Sequence, residues 1–154
     1  NADGVAANAP TERMRIDSAG IVTMPYQPFF EVYPSTSGST AGVIAFNTAV
    51  TNRGNHYNIS TYTFTAPVSG AYSFNVTIAS GITQAGTYIH LSVNGSRTRD
   101  LFEGTSWFSN LQYSASAELY LVAGDAVNVV VPTTFTVQGG VISYYSRFSG
   151  HLIG

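Results

Sequence analysis

The chain has 154 residues, of which 44% are hydrophobic and only 9% charged, with a net charge of −2. All six cationic residues are arginines (Arg13, Arg15, Arg53, Arg97, Arg99 and Arg147), and they form no basic stripe, which argues against nucleic acid as a partner. There is no cysteine, which excludes disulfides, zinc sites of the Cys type and thiol catalysis, and no apolar run approaches the ~20 residues needed to cross a bilayer as a helix.

A soluble domain is usually about 25% charged, so this surface must be built largely from Ser, Thr, Asn, Gln, Gly and Tyr. Such neutrality has two readings: burial against other subunits, or life outside cells. The missing cysteines lean the source toward bacteria or viruses. The chain begins at Asn1 without a leader and reads as a fragment or processed product.

Residues 1–11 are small and polar and read as a linker. Glu12-Arg13-Met14-Arg15-Ile16 alternates, Asp17-Ser18-Ala19-Gly20 signals a turn, and Ile21-Val22-Thr23 follows, so a small β-hairpin is expected. A lone hairpin is marginal in water, and neighbouring copies wound side by side would support it. Met24-Pro25-Tyr26-Gln27-Pro28 punctuates the chain, giving a division into a stalk-like segment 1–24 and a head 25–154.

From Phe29 onward the pattern is strands and turns. Strands are expected at Phe29 to Tyr33, Gly42 to Phe46, Tyr62 to Phe64, Ala71 to Ile78, Thr87 to Val93, Gln112 to Leu121, Ala126 to Val131 and Val141 to Ile153. The intervening Ser-Thr-Ser-Gly-Ser-Thr run, Pro67-Val68-Ser69-Gly70, Asn94-Gly95, Ala123-Gly124-Asp125 and Gly139-Gly140 read as turns, Asn94-Gly95 as a tight primed hairpin. Tyr72 to Ile78 puts its apolar residues on one face. Glu118 to Val122 is apolar nearly throughout, and Tyr144-Tyr145 offers an aromatic to each face of the last strand, so both should be covered on two sides. The class is all-β, a sandwich or barrel.

Phe46, Asn52, Tyr57, Phe64, Gly70, Tyr72 and Phe74 stand at the intervals of the C1q-domain signature, with Val76 where that signature has a closing aromatic. Leu121 to Val127, with Asp125, resembles the family's Gly-Asp turn, and Tyr145 to Leu152, with Phe148 and Gly150, its closing Phe-Ser-Gly strand. The resemblance to C1q/TNF-like heads covers residues 26–154. It implies a jelly-roll sandwich of about ten strands in a homotrimer, working as a recognition head on a stalk. The signature residues are expected to be scaffold, with Gly70 allowing a turn conformation and Asp125 folding its carboxylate onto backbone N–H groups. Glu12 to Val22 resembles a repeat of bacteriophage tail fibres, which points to a head on a virion fibre.

No chemistry stands out. The carboxylates are scattered and no nucleophile elbow or phosphate loop is present, so an enzyme is not expected. His56, His90 and His151 lack ligand spacing. Some C1q-like heads bind calcium, and Asp100 with Glu103 is the nearest candidate pair here; no other cofactor is implied. The segment Arg97 to Tyr113 holds the only Trp, and its Arg97, Arg99, Trp107, Phe108, Asn110 and Tyr113 are the candidate ligand contacts, since sugar and protein hot spots favour aromatics and Arg. Phe135 and Gln138, in an expected loop Pro132 to Gln138, are a second candidate. The bland alternative is that Trp107 and Phe108 fill a sandwich edge or a subunit contact. Sequons at Asn58, Asn75 and Asn94 matter only in a secreted eukaryotic protein.

The expected function is a trimeric head that binds a host-surface glycan or protein, with other virion fibre proteins as partners and no membrane insertion. The alternative is a structural trimerisation, capping or head-decoration module.

Overall fold

A computed structural model describes residues 12–79, 84–107, 111–140 and 145–154. Among the described residues every regular element is a strand. In chain order these are β1 (Arg15–Ile16), β2 (Val22–Thr23), β3 (Phe29–Tyr33), β4 (Gly38–Val43), β5 (Thr48–Arg53), β6 (Tyr57–Asn58), β7 (Thr63–Thr65), β8 (Gly70–Ala79), β9 (Gln84–Val93), β10 (Ser96–Trp107), β11 (Gln112–Leu121), β12 (Ala126–Val137) and β13 (Arg147–Leu152).

β1 and β2 form a two-stranded sheet of their own. Its turn is closed by Asp17, whose Oδ1 accepts from the amides of Ala19 at 2.8 Å and Ile21 at 2.9 Å. The rest is a sandwich of a five-stranded sheet, β11-β8-β13-β3-β5, on a six-stranded sheet, β10-β9-β12-β7-β6, with β4 added to β12. All pairings are antiparallel, and strands distant in sequence are neighbours, as in a jelly roll.

The core is aromatic. Phe30 stacks on Tyr57 and Phe64, each at 5.0 Å, and meets Phe148 edge-on at 4.9 Å. Phe46, Tyr72 and Phe74 complete the cluster, all essentially inaccessible. Offset and edge contacts of this kind add about 0.5–1.5 kcal/mol each beyond area burial. Val76, where the signature has an aromatic, is buried as well. Asn52 earns its place by a clamp: its Nδ2 donates to the Tyr57 carbonyl at 2.7 Å, and its Oδ1 accepts from the Tyr57 amide at 3.1 Å. One side chain thus stands in for a missing strand and closes the 53–56 turn.

The turn expectations hold at two places. Asn94 and Gly95 have φ of 52° and 80°, the double positive φ of a type I′ hairpin between β9 and β10. Asp125 accepts from the Val122 amide at 2.8 Å and from Asn94 Nδ2 at 2.8 Å, which lowers its carboxyl pKa; the Asn94 bond is the larger cause.

Several expectations are corrected. Gly70 is not a turn residue but the buried first residue of β8. A Cβ there would sit 2.8 Å from the Gly154 carbonyl oxygen and 2.9 Å from Leu152, so close approach of the C-terminal residues is what requires glycine. The strand expected at Gly42 to Phe46 lies at Gly38–Val43, beginning inside a run read as a turn, and β5 was not anticipated. The last strand starts at Arg147, and Tyr145 precedes it, 45% exposed; Tyr144 lies outside the described residues. The expected loop Pro132 to Gln138 is the far half of β12, carried past Pro132 by a bulge between Val131 and Phe135, where a residue without an N–H costs no ladder bond. Phe135 therefore points into the core at 0% exposure and cannot be a ligand contact.

Candidate recognition surface

The head has two ends. Phe29 of β3 pairs with His151, His151 with Ser73, and the Ala71 amide donates to the Gly154 carbonyl, so the chain's entry and exit share one end with the Asn94-Gly95 turn. That end is proximal, because the β1–β2 hairpin leads into it; the Arg53 guanidinium reaches back to the Met24 carbonyl at 3.4 Å. The turn after Tyr33 lies at the opposite, distal end.

The segment Arg97 to Tyr113 is dominated by β10, the edge strand of the six-stranded sheet. Register shifts between Arg97 and Arg99 and between Asp100 and Phe102 break its alternation, which hid the strand from pattern reading. This also separates the candidate contacts. Arg97 sits near the proximal end and Trp107 at the distal end, roughly 30 Å apart at ~3.3 Å per residue. They do not converge on one site.

At the proximal end a compact group forms on the outward face of β9 and β10. Both oxygens of Asp100 bind Arg97, Oδ1 to Nε at 2.6 Å and Oδ2 to Nη2 at 2.7 Å. The Arg97 Cζ lies 3.7 Å from the Tyr88 ring centroid, a stacked cation–π contact, and the Tyr88 ring is 5.6 Å from that of His90. His90, opposite Asp100 in the register, is only 6% exposed although it faces away from the core, and its Nδ1 has no hydrogen-bond partner among the described residues. Burial lowers its pKa, the Arg97 charge lowers it further, and Asp100 opposes both. The hydrogen bond between Arg97 and Asp100 raises the arginine and lowers the carboxyl. The result is an arginine held by a carboxylate over an aromatic base, its Nε and Nη2 already engaged by Asp100. The alternation of β9, with Leu91 inward, was the legible signal that Tyr88 and His90 face out.

Arg99 stands apart. It lines a cavity of about 380 Å³ at the seam between β10 and β11 with Ser73, Ser116, Ala117 and Glu118. Tyr113 is half-buried and meets Phe102 edge-on at 6.5 Å. The Gln138 amide donates to the Ala79 carbonyl at 2.8 Å, which holds it at the distal end. Phe108 and Asn110 lie outside the described residues, as does the side chain of Trp107. Of the calcium candidates Asp100 and Glu103, Asp100 has both carboxylate oxygens bonded to Arg97; among the described residues no group of three or more His, Asp or Glu side chains lies together.

The outward face of the five-stranded sheet mixes polar groups with exposed apolar side chains. Arg147 donates to Glu31 at 3.0 Å across β13 and β3, and His151, Phe29 and Arg53 form one cross-strand row beside it. Tyr120 projects from β11 at 75% exposure, with Val122 at 59% just after it and Val50 at 56% in β5. The stretch Glu118 to Val122 is thus covered on one face only within the chain, its Leu119 and Leu121 buried. The hairpin leaves Met14, Ile16, Ile21 and Val22 half or more exposed.

Solved structures share this architecture. The globular domain of zebrafish complement 1qA protein is 24% identical, with a TM-score of 0.61 over 83% of this chain and 98% of its own. Murine APRIL is 14% identical with a TM-score of 0.59, over 82% of this chain and 99% of its own. Eiger TNF from S. frugiperda is 13% identical with a TM-score of 0.62, over 83% and 94%. The C1q domain pattern matches residues 30–153, and the chain belongs to the C1q domain family.

Proposed function

We propose that this chain is the homotrimeric recognition head of a bacteriophage tail fibre or related virion fibre, displayed on the virion surface, where it binds a host-surface glycan or protein. The observation that carries the trimer is the exposed apolar material: Tyr120 and the following Val122 at one edge of the five-stranded sheet, Val50 at its other edge, and Met14, Ile16, Ile21 and Val22 on the hairpin. A 9% charged chain has little else to keep such a surface apart. Three identical sites on one trimer convert weak contacts into avidity. Membership of the C1q domain family supports a binding module rather than an enzyme. The tail-fibre origin rests on the Glu12 to Val22 run, which lies in the proximal hairpin as a stalk would.

Receptor contacts are assigned to Arg97 on its Tyr88 base and to Trp107 and Tyr113 toward the distal end. The test is attachment of the purified head to host cells. Arg97→Ala and Trp107→Ala are expected to weaken it while leaving the native mass unchanged; unchanged attachment by both removes this assignment. A capping or decoration module is the second reading, favoured by the apolar hairpin alone. It expects no attachment by the isolated head and failed fibre assembly on its deletion.

A further inference from the structure

The distal end carries a cavity of about 210 Å³ between β4, the turn after β3 and the connection from β4 to β5. Its lining is entirely uncharged. Ile44 and Val137 give it an apolar floor, and Thr36, Thr40 and Asn47 supply hydroxyl and amide groups at its walls. The Thr40 hydroxyl is only loosely engaged, 3.5 Å from the Val43 carbonyl, and is available to a guest. Asn47 is held in place by Ser35, accepting from its amide at 2.8 Å and donating to its hydroxyl at 3.0 Å, so this wall is rigid. Among the described residues β4 pairs only with β12, which leaves the N–H and C=O groups of its other edge without ladder partners beside the cavity. Gly38 completes the rim, and a Cβ there would meet nothing within 4 Å.

We propose that this cavity binds one neutral sugar ring. An uncharged lining rejects ionised ligands, because a buried charge without a partner is costly. Hydroxyls, an amide and an open strand edge match a ligand that both donates and accepts around its rim. The aliphatic floor matches the C–H face of a pyranose. The volume lies below the roughly 300–1,000 Å³ of pockets that enclose drug-sized molecules, so a single ring fits and an oligosaccharide must extend out of it. The cavity opens at the end away from the stalk, where a terminal sugar of a surface glycan would arrive. That biological source rests on the recognition-head reading; binding of a free sugar does not.

The experiment is saturation-transfer NMR on the full chain with free glucose, galactose, mannose and N-acetylglucosamine, and with glucuronate as the charged comparison. At least one neutral sugar is expected to bind with a Kd on the order of 1 mM. Gly38→Phe, which places a ring in open space on the rim, is expected to weaken it about tenfold or more. Thr40→Val, which removes one hydroxyl at constant shape, is expected to weaken it about threefold to tenfold and decides the matter alone if Gly38→Phe does not fold. No saturation of any neutral sugar, equal binding by the folded variants, or preference for glucuronate overturns the proposal. Cell attachment retained by a folded Gly38→Phe head that has lost sugar binding would remove the cavity's role in attachment and leave the head reading standing; loss of the trimer would strike the head reading alone.

Discussion

Gly150→Ala tests the packing that positions both sheets. Gly150 sits on β13 between β8 and β3, and an added Cβ would lie 2.6 Å and 2.8 Å from two atoms of the Phe74 ring and 2.8 Å from the Phe30 ring. Carbon atoms prefer about 3.5–4.0 Å, so both rings must retreat by roughly 1 Å. They have no free side to retreat to: Phe30 is held at 4.9–5.0 Å by Phe148, Tyr57 and Phe64, and Phe74 lies 5.7 Å from Phe64. The variant should lose about 2–3 kcal/mol, the upper part of the overpacking range. Urea denaturation at fixed protein concentration measures it, since the proposed assembly would make stability concentration-dependent. The double variant with Phe74→Leu should lose less than the two singles summed, because the smaller side chain makes room for the methyl. A Gly150→Ala loss within about 0.5 kcal/mol, or strict additivity, would refute the close-approach account of this signature glycine.

Other outcomes follow from the same contacts. Asn52→Leu strips the Tyr57 amide and carbonyl of their partners and should cost about 1–3 kcal/mol by denaturation, with Asn52→Asp in between. Burial lowers the pKa of both His56 and His90, so the unfolded chain binds more protons than the folded one just below pH ~6.5; stability should be full above that pH and fall as pH drops through it, seen as a declining Tm, with a shallower decline in His90→Gln. Asp125→Ala should speed hydrogen exchange at the Val122 amide, whose acceptor it removes, without unfolding the sandwich.

Much of the fold was legible because the central strands obey period 2. β11 falls on the very residues expected, and β8 runs one residue past the expected stretch at each end, since each buries one regular face. The aromatic spacing and the Asn94-Gly95 turn were equally plain. Legibility failed where geometry departs from alternation. Two bulges disguised β10, another carried β12 beyond Pro132, and β4 opens on Gly, Ser and Thr, which carry no hydrophobic signal. The site suffered more than the fold. Arg97 was found, but its partners Tyr88 and His90 come from the facing strand, and the distal cavity is assembled from β4, two connections and β12, which no single stretch of sequence displays.

Assembly is the claim on which the rest turns. Light scattering of the full chain should give three times the chain mass of 16.4 kDa. The same trimer after removal of residues 1–24 would place assembly in the head. A monomer of 16.4 kDa in both forms would contradict the account, leaving Tyr120, Val122 and the hairpin's apolar side chains bare in water and removing the avidity on which recognition depends.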